Sequence, residues 1–123
     1  MLAVTEYSPD HINRCRRVAA FAESKANGAA EAAFFNNMVL SLDHYFVHRL
    51  RKNEGKDGNP LNEVRVLCDS LTDNDGVLAA DKTSRLDPEK SILGLEVGDE
   101  IKLTEADFRR LADGFLAEIE SRY

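Results

Sequence analysis

His44 and His48 stand four residues apart in FFNNMVLSLDHYFVHRLR (34–51). On a helix that spacing projects both rings from one face, and two such imidazoles can share a metal ion. His11 is the remaining member of the chain's 3 histidines. If the helix that carries it packs antiparallel on the 34–51 helix, His11 approaches the end that holds His48. His11, His44 and His48 are therefore the candidate metal ligands, a set of the kind built inside helical bundles. The Glu-x-x-His pairs of di-iron bundles are missing, because Ser41 and Tyr45 occupy the positions three residues before the two histidines.

The same stretch carries a wider polar pattern. Asn37, Ser41, His44, His48 and Arg51 recur at spacings of 4, 3, 4 and 3, which places them on one helical stripe. Asn36 and Asp43 form a neighbouring row. The polar motif Lys56-Asp57-Gly58-Asn59 follows, and Asn62 and Arg65 come one turn later. The candidate ligand site is therefore Asn37, His44, His48, Arg51, Asn59, Asn62 and Arg65. It would surround an anionic or hydrogen-bonding small molecule at a helix–helix corner, where the start of the next helix adds a positive end. The competing reading takes Asn59 as a helix cap and Lys56 as a solvated side chain. The sequence specifies neither a cofactor nor the identity of a ligand.

Catalytic patterns are missing. Asp43 precedes His44 directly, and adjacent helical residues point about 100° apart, so it does not orient that ring. No serine lies in a Gly-x-Ser-x-Gly turn, and neither Cys15 nor Cys68 is expected in a neighbourhood that is both basic and exposed. GKDGN lacks the spacing and the preceding strand of a phosphate-binding loop. In TDNDG (72–76), taking Gly76 as the sixth position of a calcium loop puts Leu71 first and Lys82 twelfth, and neither binds calcium. Catalytic residues are thus expected to be none, and the expected function is non-enzymatic.

The elements that would position these residues are mostly helical. Ser8-Pro9-Asp10 is a cap followed by proline at the first helical position. Ile12, Cys15, Ala19 and Ala22 then recur at helical spacing up to Asn27-Gly28. A second helix is predicted from about Ala29 to Lys52, with Phe35, Val39, Leu42, Phe46 and Leu50 as its stripe and Phe34, Met38 and Tyr45 beside it. Its broad apolar arc predicts a central position. Asn59-Pro60 opens a third helix to about Leu71, with Leu61, Val64, Leu67, Cys68 and Leu71 on one face. Thr104-Glu105-Ala106-Asp107 has capping-box spacing, and Phe108, Leu111, Ala112, Phe115, Leu116 and Ile119 follow it. Gly114 in this last helix costs about 1 kcal/mol relative to alanine unless another element crosses closely there. Between these helices, Leu95, Val97, Ile101 and Leu103 alternate with polar residues. They predict a small β element around Gly98-Asp99.

The chain has 123 residues and is 43% hydrophobic, enough for one domain over 1–123 with its own core. The fold class expected is mainly α: a four-helix, bundle-like single domain with a small β element between the third and fourth helices. The 2 cysteines sit far apart among apolar neighbours, as buried free thiols in a reducing compartment do. MLAVTEYSPDH has no basic region followed by an apolar one, and no apolar run approaches the length of a membrane span. These features predict a cytoplasmic protein. A net charge of −6 argues against nucleic acid as a partner. Residues 1–52 carry 7 Lys/Arg and 5 Asp/Glu (+2), whereas 53–123 carry 9 and 17 (−8). That asymmetry suits either a solvated acidic face or self-association of a basic half with an acidic half. A symmetric homodimer is the expected partner arrangement.

DHYFVHRLRKNEGKDGNPLNEVRVLCDSL (43–71), GVLAADKT (76–83) and VGDEIKLTEADFRRLADGFLAEIE (97–120) together resemble a family of small, mostly actinobacterial proteins with no assigned activity. GKDGNPLNEVR (55–65) is the most specific string, and the resemblance spans roughly residues 35–123. It implies a bacterial cytoplasmic protein and carries no catalytic residue or cofactor with it. Two readings stand side by side. One is a protein that acts through binding or self-association. The other is a helical protein that holds a metal or small ligand at His44 and His48.

Overall fold

Asn59 and Thr104 start the two best-formed helices of the computed structural model, which describes residues 8–10, 12–13, 28–80 and 86–123. Among the described residues the helices are α1 (Gly28–Tyr45), α2 (Arg51–Glu54), α3 (Pro60–Asp73) and α4 (Glu105–Arg122). The protein is mainly α. No helix among the described residues is long and apolar enough to cross a membrane.

The caps form as their residue types dictate. Asn59 Oδ1 accepts from the backbone N–H of Leu61 at 2.8 Å and of Asn62 at 3.4 Å, ahead of Pro60. Thr104 Oγ1 accepts from Asp107 N–H, and Asp107 Oδ2 accepts from Thr104 N–H, both at 3.1 Å. This is the reciprocal capping box that the spacing predicts. Ile12 N–H donates to Ser8 C=O at 3.1 Å, so a helical turn opens at Pro9. The rest of that predicted helix, with His11 and Cys15, lies outside the described residues.

The predicted Ala29–Lys52 helix does not run to Lys52. It ends at Tyr45, and Phe46 N–H and Val47 N–H bond the carbonyls three residues back, at 3.0 and 3.3 Å. The run Tyr45-Phe46-Val47-His48 consists of aromatic and β-branched residues of modest helix propensity, so little local energy opposes the break. Phe46 turns inward onto Phe115, with ring centroids 5.7 Å apart. Leu50, predicted on the core stripe, is 61% exposed instead.

The central helix is α3 rather than α1. Leu61, Val64, Val66, Leu67 and Cys68 are buried, and so are Asn62, Glu63 and Ser70. α1 and α4 both pack on it and on each other. Val39 from α1 and Leu111 and Phe115 from α4 complete the core, with Leu78, Ile101 and Leu103 from the connecting segment. Cys68 is a free thiol that donates weakly to Val39 C=O, and burial pushes its pKa well up.

Among the described residues the β element reduces to one antiparallel bridge, Val77 with Glu100. Gly98-Asp99 do form a turn, closed by Asp99 N–H to Glu96 C=O at 3.0 Å. The residues beyond it pair with 76–78 instead of folding back on Leu95 and Val97, because Gly76 and Leu78 already offer their backbone groups there. Leu78 N–H donates to Asp99 C=O at 2.9 Å, and Ile101 N–H to Gly76 C=O at 2.8 Å. Ile101 and Leu103 still point inward, and Lys102 outward, as the alternation predicts.

What replaces the missing strand is an α1 side chain. Asn36 Nδ2 donates to Ile101 C=O at 2.8 Å and its Oδ1 accepts from Leu103 N–H at 3.2 Å. Asn36→Ala leaves both backbone groups without this partner and is expected to cost about 1–3 kcal/mol in urea unfolding. Asn37→Ala is the control. Asn37 donates to Ala33 C=O in its own helix at 2.8 Å, and its loss is expected to stay within about 0.5 kcal/mol. Equal costs for the two variants would refute the clamp.

Candidate functional site

Three of the predicted ligand-site residues, Asn59, Asn62 and Arg65, do come together. They meet around Glu54, a residue that reads in sequence as part of a solvated loop. Its side chain is fully buried, and four nitrogen donors surround its carboxylate. Arg65 supplies Nη2 at 2.6 Å and Nε at 3.0 Å. Arg49 supplies Nε at 2.8 Å, and Asn62 supplies Nδ2 at 3.0 Å. Burial alone would raise the pKa of Glu54. The hydrogen bonds and charges of Arg65 and Arg49 outweigh it and bring the pKa down to about 2.

The remaining atoms of this corner are consumed in turn. Arg49 Nη1 donates to Asp43 Oδ1 at 2.8 Å and to Phe46 C=O at 3.1 Å, and the guanidinium lies 5.4 Å from the Phe115 ring centre. Only Arg49 Nη2 is buried without a hydrogen-bond partner among the described residues. Asn62 Oδ1 accepts from Gly58 N–H at 2.9 Å. Asn59 Nδ2 donates to Glu54 C=O at 2.7 Å and to Asp57 Oδ1 at 2.6 Å. Arg122, at the end of α4, donates to Glu54 C=O at 3.1 Å, and Asn53 Nδ2 returns to Arg122 C=O at 3.2 Å. Gly55, with φ of 76°, lets Arg122 this close; a Cβ there would lie 3.0 Å from its Nη1.

The carboxylate that Asn62 and Arg65 hold at this corner is that of Glu54. The cap at Asn59 likewise fills the positive end of α3. The other predicted residues stand apart from this network. Asn37 bonds within its own helix, whereas His44, His48 and Arg51 are exposed. His44 belongs to the last turn of α1 and His48 to the turn beyond its end, so the continuous helical spacing that would pair their rings is broken. Among the described residues no group of three His, Cys, Asp or Glu side chains is placed to hold a metal, and His11 lies outside them.

Sequence reasoning missed Glu54 and Arg49. The signal that bears on them is the i, i+3 pair Asn62 and Arg65 on a helix whose neighbouring positions are apolar. Two polar side chains turned toward a core need a partner there.

Apolar side chains stand out from the same corner. Tyr45 is 84% exposed and Leu50 61%, with Val47 and Tyr123 about half exposed. Tyr123 OH donates to Leu50 C=O at 2.6 Å, which joins the end of α4 to this surface. Leu116, seven residues before Tyr123 on the same α4 face, is exposed as well. No family model, curated protein or solved structure matches this chain.

Removing the carboxylate leaves the buried Arg49 and the partly buried Arg65 facing each other without their shared partner. Glu54→Gln is expected to lose about 3–5 kcal/mol at neutral pH, measured by urea unfolding. Glu54 has its pKa lowered by folding, so its contribution is present above the ordinary carboxylate value of 4.5 and fades as pH falls toward about 2. The stability gap between wild type and Glu54→Gln should shrink over that window. Glu63, whose burial raises its pKa and so acts in the opposite sense, is common to both proteins and cancels. A gap that does not change with pH would refute the assignment.

Proposed function

We propose that the protein works by association rather than catalysis, as a symmetric homodimer in a bacterial cytoplasm. The observation that supports this most is the exposure of Tyr45, Val47 and Leu50, close together in the chain, with Tyr123 joined to them through its bond to the Leu50 carbonyl. A side chain such as Leu50 on a small domain gains on the order of 1.5–3 kcal/mol when covered. Aromatic and aliphatic residues clustered at one corner are the usual centre of a protein interface, with a polar rim around them.

The rim fits a second copy of this chain. Arg51 and Lys52 are exposed beside Leu50, and Glu120 is exposed on the α4 turn that leads to Tyr123. A two-fold axis through the apolar cluster brings the basic rim of one copy toward the acidic α4 end of the other. This agrees with the uneven charge of the two halves of the sequence.

A metal or small ligand at His44 and His48 has less support. The predicted partners Asn59, Asn62 and Arg65 already satisfy Glu54 and one another. His44 and His48 lie on the rim of the apolar cluster, where interface contacts account for them equally well.

Sedimentation equilibrium of the untagged protein should show a concentration-dependent species of twice the chain mass. Leu50→Asp should weaken association by roughly thirtyfold or more, as loss of about 2 kcal/mol at an interface anchor does, with helical content unchanged by circular dichroism. A strict monomer at the highest attainable concentration would overturn the dimer. Stoichiometric metal in protein purified without a histidine tag would favour the ligand reading instead.

A further inference from the structure

Beside α3, between Val66 and the segments that connect α3 to α4, lies a cavity of about 170 Å³. Its floor is Val66 and Leu78, each 3% exposed and part of the core. Ala79, Ala80, Leu86, Pro88, Leu95 and Val97 line the rest, and the cavity is open to solvent where Ala80 and Val97 are exposed. Every side chain named in that lining is apolar. We infer that this cavity is a binding site for a small uncharged apolar molecule, about the size of one aromatic ring.

Size and chemistry both point to that class. A cavity of roughly 150 Å³ lined by aliphatic side chains stays dry and accepts benzene, because water finds no polar partners in it. The present cavity is slightly larger, and among the described residues no polar side chain lines it to hold a charged group. A carboxylate or ammonium placed here would lose its hydration and gain nothing. Small residues make the space, since the methyl group of Ala79 fills little of the gap above Val66.

The walls are held from outside, so the cavity does not depend on a ligand to keep it open. Ser70 is 1% exposed, and its Oγ accepts from Ala79 N–H at 3.0 Å, which fixes Ala79 to α3. Glu63 is 3% exposed, and its carboxylate accepts from Ile92 N–H at 2.8 Å and Leu93 N–H at 3.0 Å. That pair of bonds ties the segment between Pro88 and Leu95 to the same helix. Leu78 is bound on both backbone groups, donating to Asp99 C=O and accepting from Gly98 N–H, each at 2.9 Å. Collapse onto Val66 would break these part-buried bonds, and leaving them unmade costs stability. A site formed in advance binds without the ordering cost of building it.

The test is a methyl-NMR titration of the full chain with benzene, and with benzoate as the charged probe of the same shape. Benzene should give saturable shifts confined to the methyls of Val66, Leu78 and Leu95, and benzoate should give none. Ala79→Leu fills the space and should abolish the benzene shifts while the rest of the spectrum is kept. Leu95→Trp fills it from another lining position and should do the same if Ala79→Leu fails to fold. Absence of saturable shifts with benzene would overturn the inference. So would equal shifts from benzoate, or shifts that persist in the filled variants.

Discussion

The buried carboxylate of Glu54 is the constraint on which the other parts of this corner depend. A carboxylate taken fully out of water is viable only if cations and donors replace its hydration. Arg49, from the turn after α1, and Asn62 and Arg65, from α3, do so. Arg49 in turn needs Asp43 and the Phe115 ring, which binds the end of α1 to the middle of α4. The Glu54 backbone carbonyl takes Arg122, which fixes the end of α4. Such networks add little net stability compared with an apolar core, but they are sensitive to geometry. A one-residue slip in any of these segments strands a buried charge. Apolar packing alone would tolerate several neighbouring arrangements of the helices.

The non-helical half of the chain depends on the same device in milder form. Between α3 and α4 the backbone makes a single bridge and no extended strand among the described residues, yet Leu78, Ile101 and Leu103 are buried. Buried backbone groups need partners, and here helices supply them through side chains. Asn36 serves 101–103, Ser70 serves Ala79, and Glu63 serves Ile92 and Leu93. Glu63 holds its segment so that Ile92 rests on Gly114, where a Cβ would come within 2.4 Å of Ile92 Cδ1. The close approach that the sequence predicts at Gly114 is therefore made by this segment, with Pro60 of α3 behind it, rather than by a full helix crossing.

These dependencies explain what was legible in the sequence. Caps were, because Asn59-Pro60 and Thr104-x-x-Asp107 act through bonds within four residues. The inward face of α4 and the alternation of Ile101 and Leu103 were, because burial of one face has a period. Glu54 was not. In NEGKDGN it has the surroundings of a solvated loop, and its burial is decided by Arg49 and Arg65, which no periodicity links to it. Asn36 was visible as a polar residue in an apolar run. Its partners, 65 and 67 positions away, were not. The end of α1 failed for a related reason: the stripe Phe35, Val39, Leu42, Phe46, Leu50 continues past the point where tertiary bonds break the helix. Of the candidate ligand residues, Asn59, Asn62 and Arg65 lie together around Glu54, a neighbour that only the tertiary structure brings to them.

The break after Tyr45 links the closed corner to the open surface. A helix continued to Lys52 would keep Leu50 on the stripe of Phe35, Val39, Leu42 and Phe46, facing the core. The same helix would carry Arg49 away from Glu54 and Asp43, stranding charges that cost several kcal/mol each when unpaired. Exposing Leu50 forfeits only about 1.5–3 kcal/mol. The chain therefore breaks in favour of the ion network and presents Leu50 outward, together with Tyr45 and Val47. A second copy that covers these residues recovers the burial that the break gives up, without disturbing any bond to Glu54. On this account the exposure of Tyr45, Val47 and Leu50 follows from placing a carboxylate in the core.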